Sequence, residues 1–223
     1  MRTEITTAEL KTFPLFAGLQ DHDLQGLTTV LERRCIAKNR LVVRSDEDGQ
    51  FMMLVLSGRL RVNLAGAGGR EHIVDILGPG DFFGELAILT GEPRSADVQA
   101  AEESVVFVLA QQDFEKYVLG NACLSRSLLR ELALRLRRTT EKMGDLALLD
   151  VYRRVARVLR SLGREEAGEN GKVYILEKRP THRELAALAG TTREMVTRSL
   201  KELEDAGHLQ VKGKYLTLVS LPI

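Results

Sequence analysis

Residues 83–96 have the sequence Phe-Gly-Glu-Leu-Ala-Ile-Leu-Thr-Gly-Glu-Pro-Arg-Ser-Ala, in which seven residues separate a Gly-Glu-Leu tripeptide from an Arg-Ser-Ala tripeptide. Arginine presents a planar fork of N–H donors that suits two oxygens of one phosphate, and a serine hydroxyl or exposed backbone amides can donate to the same group. A glutamate does not favour a phosphate, so Glu85 is expected to face a donor such as a sugar hydroxyl. The stretch therefore predicts a site for a sugar phosphate, with a structural ion pair between Glu85 and Arg94 as the alternative.

Short apolar runs flank this stretch from about residue 30 to residue 110. Turn sequences such as GAGG at 66–69 and GPGD at 78–81 separate the runs. Short strands at this spacing indicate a sandwich or barrel, with a hairpin tip at GAGG. A short helical entry over residues 1–27 precedes them. We therefore expect a β-sandwich or β-barrel domain over residues 1–118.

A long helix is predicted from Gln112 to about Asp150, with a break at Gly120 and Asn121. Beyond the break, apolar positions recur in alternating steps of four and three, which indicates a two-stranded coiled coil between identical chains. This heptad seam comprises Leu129, Ala133, Leu136, Thr140, Met143 and Ala147. A second stripe of Leu124, Leu128 and Leu132 predicts that the helix also covers its own β domain. Residues 119–149 are thus expected to form a dimerisation helix and hinge, and burial of the helix within one subunit is the alternative.

The remaining residues, 150–223, have the pattern of a winged helix-turn-helix. Asp150 is a predicted N-cap for a helix that ends at Gly163, and residues 163–172 are predicted to form a loop.

Thr181 to Glu184 form a capping box, Gly190 turns the chain, and Thr191 to Glu194 are predicted to cap a second helix in the same way. The alternating residues around Lys212-Gly-Lys214 then indicate a two-stranded wing.

Charge separates the two halves of the chain. Residues 151–223 carry 14 basic and nine acidic side chains, whereas residues 1–150 carry 18 and 22. Only the second half is therefore expected to meet a polyanion.

The second helix of the predicted pair carries side chains suited to DNA. Arg193 and Arg198 can donate to guanine O6 and N7, and Glu194 can accept from cytosine N4, so this face suits G·C pairs in a major groove. A pairing of Glu194 with Arg198 inside the protein is the alternative. Contacts with DNA phosphates position the protein on the duplex without specifying its sequence. The candidates for such contacts are Thr191, Thr192, Lys201, Lys212 and Lys214.

Composition disfavours several other classes. No run of about 18 apolar residues exists, so no membrane partner is expected. The N-terminal sequence lacks an apolar signal core, which indicates the cytoplasm. Two cysteines and four histidines disfavour a metal site or an iron–sulfur cluster.

In combination, these features resemble the catabolite-activator and oxygen-regulator superfamily of bacterial transcription factors, over about Phe16 to Leu218. The segment from Thr139 to Asp150 is similar to the base-contacting and hinge segment of its cyclic-AMP receptor branch. The resemblance implies an α+β fold with a cyclic-nucleotide-binding β-roll, a long dimerisation helix and a C-terminal winged helix-turn-helix. It implies a cyclic-nucleotide site formed by Gly84, Glu85, Leu86, Ala87, Arg94, Ser95, Thr139 and Thr140.

The function that the resemblance implies is a homodimeric regulator, not an enzyme, controlled by cyclic AMP and bound to double-stranded DNA at a palindromic TGTGA-like operator. One of Thr139 and Thr140 would contact the base in its own subunit, and the other would reach the ligand of the partner subunit. RNA polymerase is an implied partner, but residues 163–172 are too acidic and glycine-rich for the family's activating contact to be transferred. Haem is disfavoured, because Gly-Glu-Leu stands where haem-dependent relatives carry their ligands.

Three alternatives stay open at this point. The same regulator could respond to cyclic GMP, to another cyclic nucleotide or to a cyclic dinucleotide, or it could be constitutively active. A metal-dependent jelly-roll enzyme is the remote alternative, since only His22 and His72 lie in the first domain.

Overall fold

A computed structural model describes residues 5–65, 71–168, 171–177, 179–212 and 215–219. The chain divides into two compact units, Met1–Arg137 and Arg138–Ile223. The predicted tip at residues 66–69 lies outside the described residues. In the part of the chain that is described, no helix is both long and apolar enough to cross a bilayer.

The first unit begins with short helical elements and continues as two antiparallel sheets. Helices α1 (Thr7–Leu10) and α2 (Asp21–Val30) flank a 3₁₀ turn at Pro14–Phe16. The strands are β1 (Glu32–Ile36), β2 (Leu41–Val43), β3 (Phe51–Ser57), β4 (Leu60–Ala65), β5 (Glu71–Leu77), β6 (Phe82–Phe83), β7 (Asp97–Ala100) and β8 (Ser104–Ala110), with helix α3 (Glu85–Thr90) between β6 and β7. The strand orders are β1-β8-β3-β6 and β2-β7-β4-β5. The predicted β-rich domain is confirmed.

Strand β3 is buried on both of its faces. Successive side chains of a strand point to opposite faces. Accordingly, Met53 and Val55 pack between the two sheets, whereas Met52 and Leu54 pack against the helices behind. Because β6 pairs with β3, the segment around β6 and α3 is attached to this buried strand.

Helix α5 (Ala122–Leu148) follows helix α4 (Gln111–Asp113) and a π-helical turn at Phe114–Leu119. The predicted break is confirmed, and the side chain of Asn121 accepts hydrogen bonds from the amides of Cys123 and Leu124 at 2.9 and 3.2 Å. The two predicted stripes of α5 differ in burial. Leu124 and Leu128 lie in the core of the first unit, whereas Leu129, Leu136 and Met143 of the heptad seam are 67%, 68% and 66% exposed.

The second unit has one helical layer and one sheet. Helix α6 (Val151–Leu162) is capped by Asp150, whose carboxylate accepts from the amide of Arg153 at 2.8 Å, as predicted. The remaining elements are β9 (Arg164–Gly168), β10 (Gly171–Leu176), α7 (His182–Leu188), α8 (Arg193–Asp205), β11 (Leu209–Lys212) and β12 (Tyr215–Leu218). The strand order is β11-β12-β10-β9. The antiparallel pairing of β11 with β12 confirms the wing.

The predicted loop over residues 163–172 is wrong, because β9 pairs with β10 in this segment. Tyr174 and Leu176 of β10 are buried in the core of the second unit. Strand β9 lies at the sheet edge, so backbone pairing holds it in place and its sequence needs no apolar alternation.

Candidate functional site

Gly84 connects β6 to α3 through a left-handed backbone conformation, with φ of +86°. A Cβ atom at this position would lie 2.3 Å from Nη1 of Arg94 and 2.8 Å from the carbonyl oxygen of Phe51. The backbone angle and the lack of space both require glycine here. The residues from 84 to 95 are called the cassette below.

Arg94 is held inside the first unit by backbone carbonyls. It is 5% exposed, and its Nη1 and Nη2 donate to the carbonyl oxygens of Gly84 and Phe51 at 2.8 and 2.7 Å. The guanidinium carbon lies 4.5 Å from the centre of the Phe51 ring. Burial lowers the pKa of Arg94, and the charge of Glu85 opposes that change. Since an arginine side chain keeps its proton in proteins, the cassette contains a fixed positive charge.

The loop before β3 packs closely against Arg94. A Cβ at Gly49 would lie 2.3 Å from the Cβ of Ala87 and 3.1 Å from the Arg94 guanidinium. The amide of Arg94 donates to Glu47 at 2.9 Å, and its carbonyl accepts from Asp46 at 2.9 Å. Both the backbone and the side chain of Arg94 are therefore fixed.

Glu85 is 1% exposed and pairs with an arginine of α5 rather than with Arg94. Its Oε1 lies 2.8 Å from Nη1 of Arg135, so the alternative of a Glu85–Arg94 ion pair is wrong. Its Oε2 is buried without a hydrogen-bond partner. Burial raises the pKa of Glu85, and the charges of Arg135 and Arg94 partly offset that rise.

Arg135 is the residue of this site that the sequence analysis did not identify. Its Nη2 donates to the carbonyl oxygen of Phe82 at 2.7 Å, and its guanidinium stacks on the Phe82 ring at 4.7 Å. The available signal was helical spacing, because Arg135 continues the stripe of Leu124, Leu128 and Leu132 by three residues. A cation at that point faces the same domain as the buried leucines.

The structure brings Gly84, Glu85, Ala87 and Arg94 together in the first unit. Leu86 and Ser95 of the cassette are exposed. Thr139 and Thr140 are exposed residues of α5 in the second unit, and their contribution to the site stays a prediction. Among the described residues, no group of three or more His, Cys, Asp and Glu side chains could hold a metal ion.

In the second unit, α7 and α8 form the predicted helix pair. The capping box of α7 is confirmed, since Thr181 accepts from the amide of Glu184 at 3.2 Å and Glu184 accepts from the amide of Thr181 at 2.8 Å. Gly190 has φ of +60°, which turns the chain between the helices.

The predicted capping box of α8 is wrong by one residue. The amide of Thr191 donates to Ala186 at 2.9 Å, so Thr191 still belongs to the turn. Thr192 is the N-cap and accepts from Met195 at 3.3 Å. Glu194 is therefore the second residue of the helix, and the third, Met195, has no carboxylate or amide side chain with which to complete a capping box.

One side of α8 packs into the core and the other is exposed. Val196, Ser199, Leu200 and Leu203 are buried. The exposed residues Arg193, Glu194, Arg198 and Lys201 are called the reading face below.

Glu194 is ionised on this face, because its own backbone amide and the Thr192 hydroxyl lower its pKa. Among the described ion pairs, none joins Glu194 to Arg198. Thr192 is exposed, Thr191 is half-buried, Lys212 is the last residue of β11, and Lys214 lies outside the described residues.

Comparisons with known proteins identify both units. Residues 33–121 match the cyclic nucleotide-binding domain, and residues 153–222 match the Crp-like helix-turn-helix domain. The cyclic AMP receptor protein of Thermus thermophilus is 32% identical over 89% of this chain and 88% of its own length. The cAMP-activated global transcriptional regulator Vfr of Pseudomonas aeruginosa is 34% identical over 83% and 88%.

The solved structure of the c-di-GMP-responsive global regulator CLP of Xanthomonas campestris has a TM-score of 0.73 and 25% identity, covering 90% of this chain and all of that one. These relatives are transcription regulators and not enzymes. The chain belongs to the Crp family of DNA-binding transcription regulators, in which a cyclic nucleotide-binding domain is joined to a Crp-like helix-turn-helix domain.

Proposed function

We propose that the chain is a cyclic-AMP-responsive regulator that acts as a homodimer and binds a palindromic TGTGA-like operator. The observation that carries the proposal is the cassette itself. Its fixed guanidinium, Arg94, and a buried carboxylate with one unpartnered oxygen, Glu85, belong to the same small region.

A cyclic phosphodiester carries one negative charge, which matches one guanidinium. The two carbonyls use two of the five N–H donors of Arg94. The remaining donors, the amides near Gly84 to Ala87 and the hydroxyl of Ser95 can serve the phosphate. Charge-assisted hydrogen bonds of this kind are about twice as strong as neutral ones.

Glu85 is suited to the ribose. An ionised carboxylate accepts hydrogen bonds only, and its Oε2 atom has no donor within the described residues. The ribose 2′-hydroxyl would supply that donor. Thr139 and Thr140 are proposed to complete the site at the base, one in the same subunit and the other from the partner.

Other effectors remain alternatives within this proposal. Threonine hydroxyls can donate or accept, so they can serve guanine as well as adenine. The similarity to CLP, which responds to c-di-GMP, makes a cyclic dinucleotide a candidate. A constitutively active form is the third alternative.

The exposed heptad seam supports a dimer. Leu129, Leu136 and Met143 of the seam are exposed in the single chain, and knobs-into-holes packing against a second copy would bury them. The end of α5 is tied to the helix-turn-helix by Arg154, which donates to the carbonyls of Leu149 and Ala189 at 2.7 and 2.8 Å. An effector that shifts α5 would therefore also bias the reading face.

The reading face supports major-groove recognition. Arg193 and Arg198 can each contact a guanine and Glu194 can contact a cytosine. Thr191, Thr192, Lys201, Lys212 and Lys214 are proposed to contact phosphates. The docking of such a helix in the groove follows known catabolite-activator examples. RNA polymerase is a further proposed partner.

Parallel calorimetric titrations with cyclic AMP, cyclic GMP and cyclic di-GMP test the effector. The wild-type protein should bind cyclic AMP most tightly, and Arg94→Leu should weaken that binding by about 10²-fold or more, since two or more charge-assisted bonds are lost. Arg44→Leu, a change at an exposed arginine before the cassette, is the control. Equal affinity of the Arg94→Leu and wild-type proteins would refute the site.

A further inference from the structure

Phe51, the first residue of β3, contacts Arg94 through two different groups. Its carbonyl oxygen accepts from Nη2 of Arg94 at 2.7 Å, and its ring centre lies 4.5 Å from the guanidinium carbon. The ring is half-buried and packs against the core between the two sheets. Phe51 belongs to no site assigned above, yet it holds the guanidinium that would bind the phosphate.

The ring contact is attractive for an electrostatic reason. A cation within about 6 Å of the centre of an aromatic ring is drawn to its negative face, and the attraction grows when water is excluded. Arg94 is 5% exposed, so water screens this contact little. A leucine at position 51 could fill similar space but has no such face. The ring therefore contributes more than apolar packing.

The backbone of two glycines limits the space around the guanidinium. A Cβ atom at Gly84 would lie 2.3 Å from Nη1 of Arg94, and one at Gly49 would lie 3.1 Å from Nε and from the guanidinium carbon. The chain therefore passes close to the guanidinium at both points, while the Phe51 ring attracts it. These contacts are all made within the protein itself and favour one orientation of the group.

A second arginine of the site is held in the same manner. The carbonyl oxygen of Phe82 accepts from Nη2 of Arg135 at 2.7 Å, and its ring centre lies 4.7 Å from that guanidinium carbon. Phe82 belongs to β6, which pairs with β3. Each of the two arginines whose charges act on Glu85 is thus bound by the carbonyl and the ring of one phenylalanine.

We propose that Phe51 is a positioning residue for effector binding, whose ring holds the Arg94 guanidinium in the orientation in which its remaining N–H donors serve the phosphate. The inference rests on the cyclic-nucleotide binding proposed above and adds a residue to that site. Phe51 acts through Arg94 and not through a contact of its own with the nucleotide.

The size of the effect follows from the freedom of the arginine. Ordering one flexible side chain on binding weakens affinity by a factor of about 2 to 12. A protein in which Arg94 is already held avoids that cost. Phe51→Leu keeps the backbone carbonyl and the apolar character of the side chain but removes the ring, so it should weaken binding within that range.

Calorimetric titrations of the full-length protein with cyclic AMP and cyclic GMP test the proposal. Phe51→Leu should weaken binding about 2- to 12-fold, by the same factor for each nucleotide that the wild type binds, since both carry the same cyclic phosphate. In the Arg94→Leu protein, adding Phe51→Leu should cause no further loss, because the group that the ring positions is gone. Phe51→Tyr keeps the ring face and should bind like the wild type.

Tyr117→Leu is the matched control. Tyr117 is another half-buried ring of the first unit, and Nζ of Lys116 lies 4.8 Å from its centre. Its removal should leave the affinity for both nucleotides unchanged. Thermal unfolding shows whether each variant folds, and Phe51→Met is the ring-free replacement if Phe51→Leu does not.

Three results would overturn the inference while a collapse of binding in Arg94→Leu leaves the proposed function intact. The first is wild-type affinity in the ring-free variant. The second is an equal loss with and without Arg94, which would make the role of Phe51 independent of the guanidinium. The third is a loss for one nucleotide alone, which would place Phe51 at the base. Failure of the wild type to bind any cyclic nucleotide would overturn the inference together with the proposed function.

Discussion

Glu85 is a buried carboxylate that depends on Arg135 for its neutralising charge. Arg135→Met should leave that carboxylate unpaired, and we expect a loss of about 3–5 kcal/mol in the free energy of unfolding, because removing one partner of a buried ion pair leaves an uncompensated charge. Denaturant unfolding measures it. Glu85→Gln combined with Arg135→Met should recover part of the loss, because the buried charge is then absent.

The pH dependence of that loss has a definite sign. Burial raises the pKa of Glu85 in the folded state. The free-energy cost of burying the ionised carboxylate is therefore complete above the folded-state pKa and absent below the unfolded-state pKa. The difference in stability between the Arg135→Met and wild-type proteins should therefore shrink as the pH is lowered. Arg34→Met removes an exposed pair with Glu32 and serves as the control. A pH-independent difference would contradict the pairing.

Arg193 and Lys201 lie on the same face of α8, but they should affect DNA binding differently. Arg193→Ala should cost about 1–3 kcal/mol and relax preference at one operator position. Lys201→Ala should weaken all sequences alike and reduce the salt dependence of binding. Binding measurements on a set of single-substitution operators distinguish the two. A uniform loss for Arg193→Ala would reassign it as a phosphate contact.

Single residues were predictable from sequence where a local rule governs them. Thr181 and Asp150 cap helices because short polar side chains satisfy the first free amides. Arg135 was not identified, because its partner Glu85 lies 50 positions away in sequence. The N-cap of α8 was misplaced for a similar reason, since a bond from Thr191 back to Ala186 decides it.

At the scale of elements, the exposed edge of α5 leads to a prediction about assembly. Leu136→Glu should weaken the proposed dimer by about 10²-fold or more, because a carboxylate without a partner in the seam costs about 3–5 kcal/mol. Sedimentation at micromolar concentration measures the oligomeric state. Leu148→Glu adds the same charge at an exposed position outside the seam and should leave the dimer unchanged. The same monomer–dimer distribution for the Leu136→Glu and Leu148→Glu variants would contradict the assignment of Leu136 to the dimer seam.

Elements with strong periodicity were predictable and elements held by pairing were not. The two stripes of α5 follow directly from the spacing of its apolar residues. In the single chain Leu124 and Leu128 are buried, whereas the heptad seam is exposed and its pairing with a second copy stays a prediction. Strand β9 has the sequence Arg-Glu-Glu-Ala-Gly and offers no such signal. It is a strand because β10 provides backbone partners, and that information lies in the tertiary structure.

For the whole molecule, α5 is the covalent link between the two units, since it runs from Ala122 to Leu148 across their division at Arg137 and Arg138. Its first part carries Arg135, which contacts the cassette residue Glu85. Its last part precedes Leu149, whose carbonyl is bound by Arg154. Helix α5 therefore connects the unit that would bind the effector to the unit that would bind DNA. The coupling between the two binding events is a free energy that can be measured.

Linkage requires that the coupling be the same in both directions. If cyclic AMP raises operator affinity by a given factor, operator DNA must raise cyclic-AMP affinity by that factor, which for typical allosteric proteins is about 5- to 150-fold. Fluorescence anisotropy with labelled operator and calorimetry with cyclic AMP provide the two numbers for one preparation.

Arg154→Met should reduce both factors together while cyclic-AMP affinity without DNA stays unchanged, since Arg154 contacts the end of α5 and not the cassette. Arg153→Met, at the neighbouring exposed arginine, should change neither. If Arg154→Met lowers operator affinity equally with and without cyclic AMP, then Arg154 supports the fold of the second unit only, and the coupling path lies elsewhere.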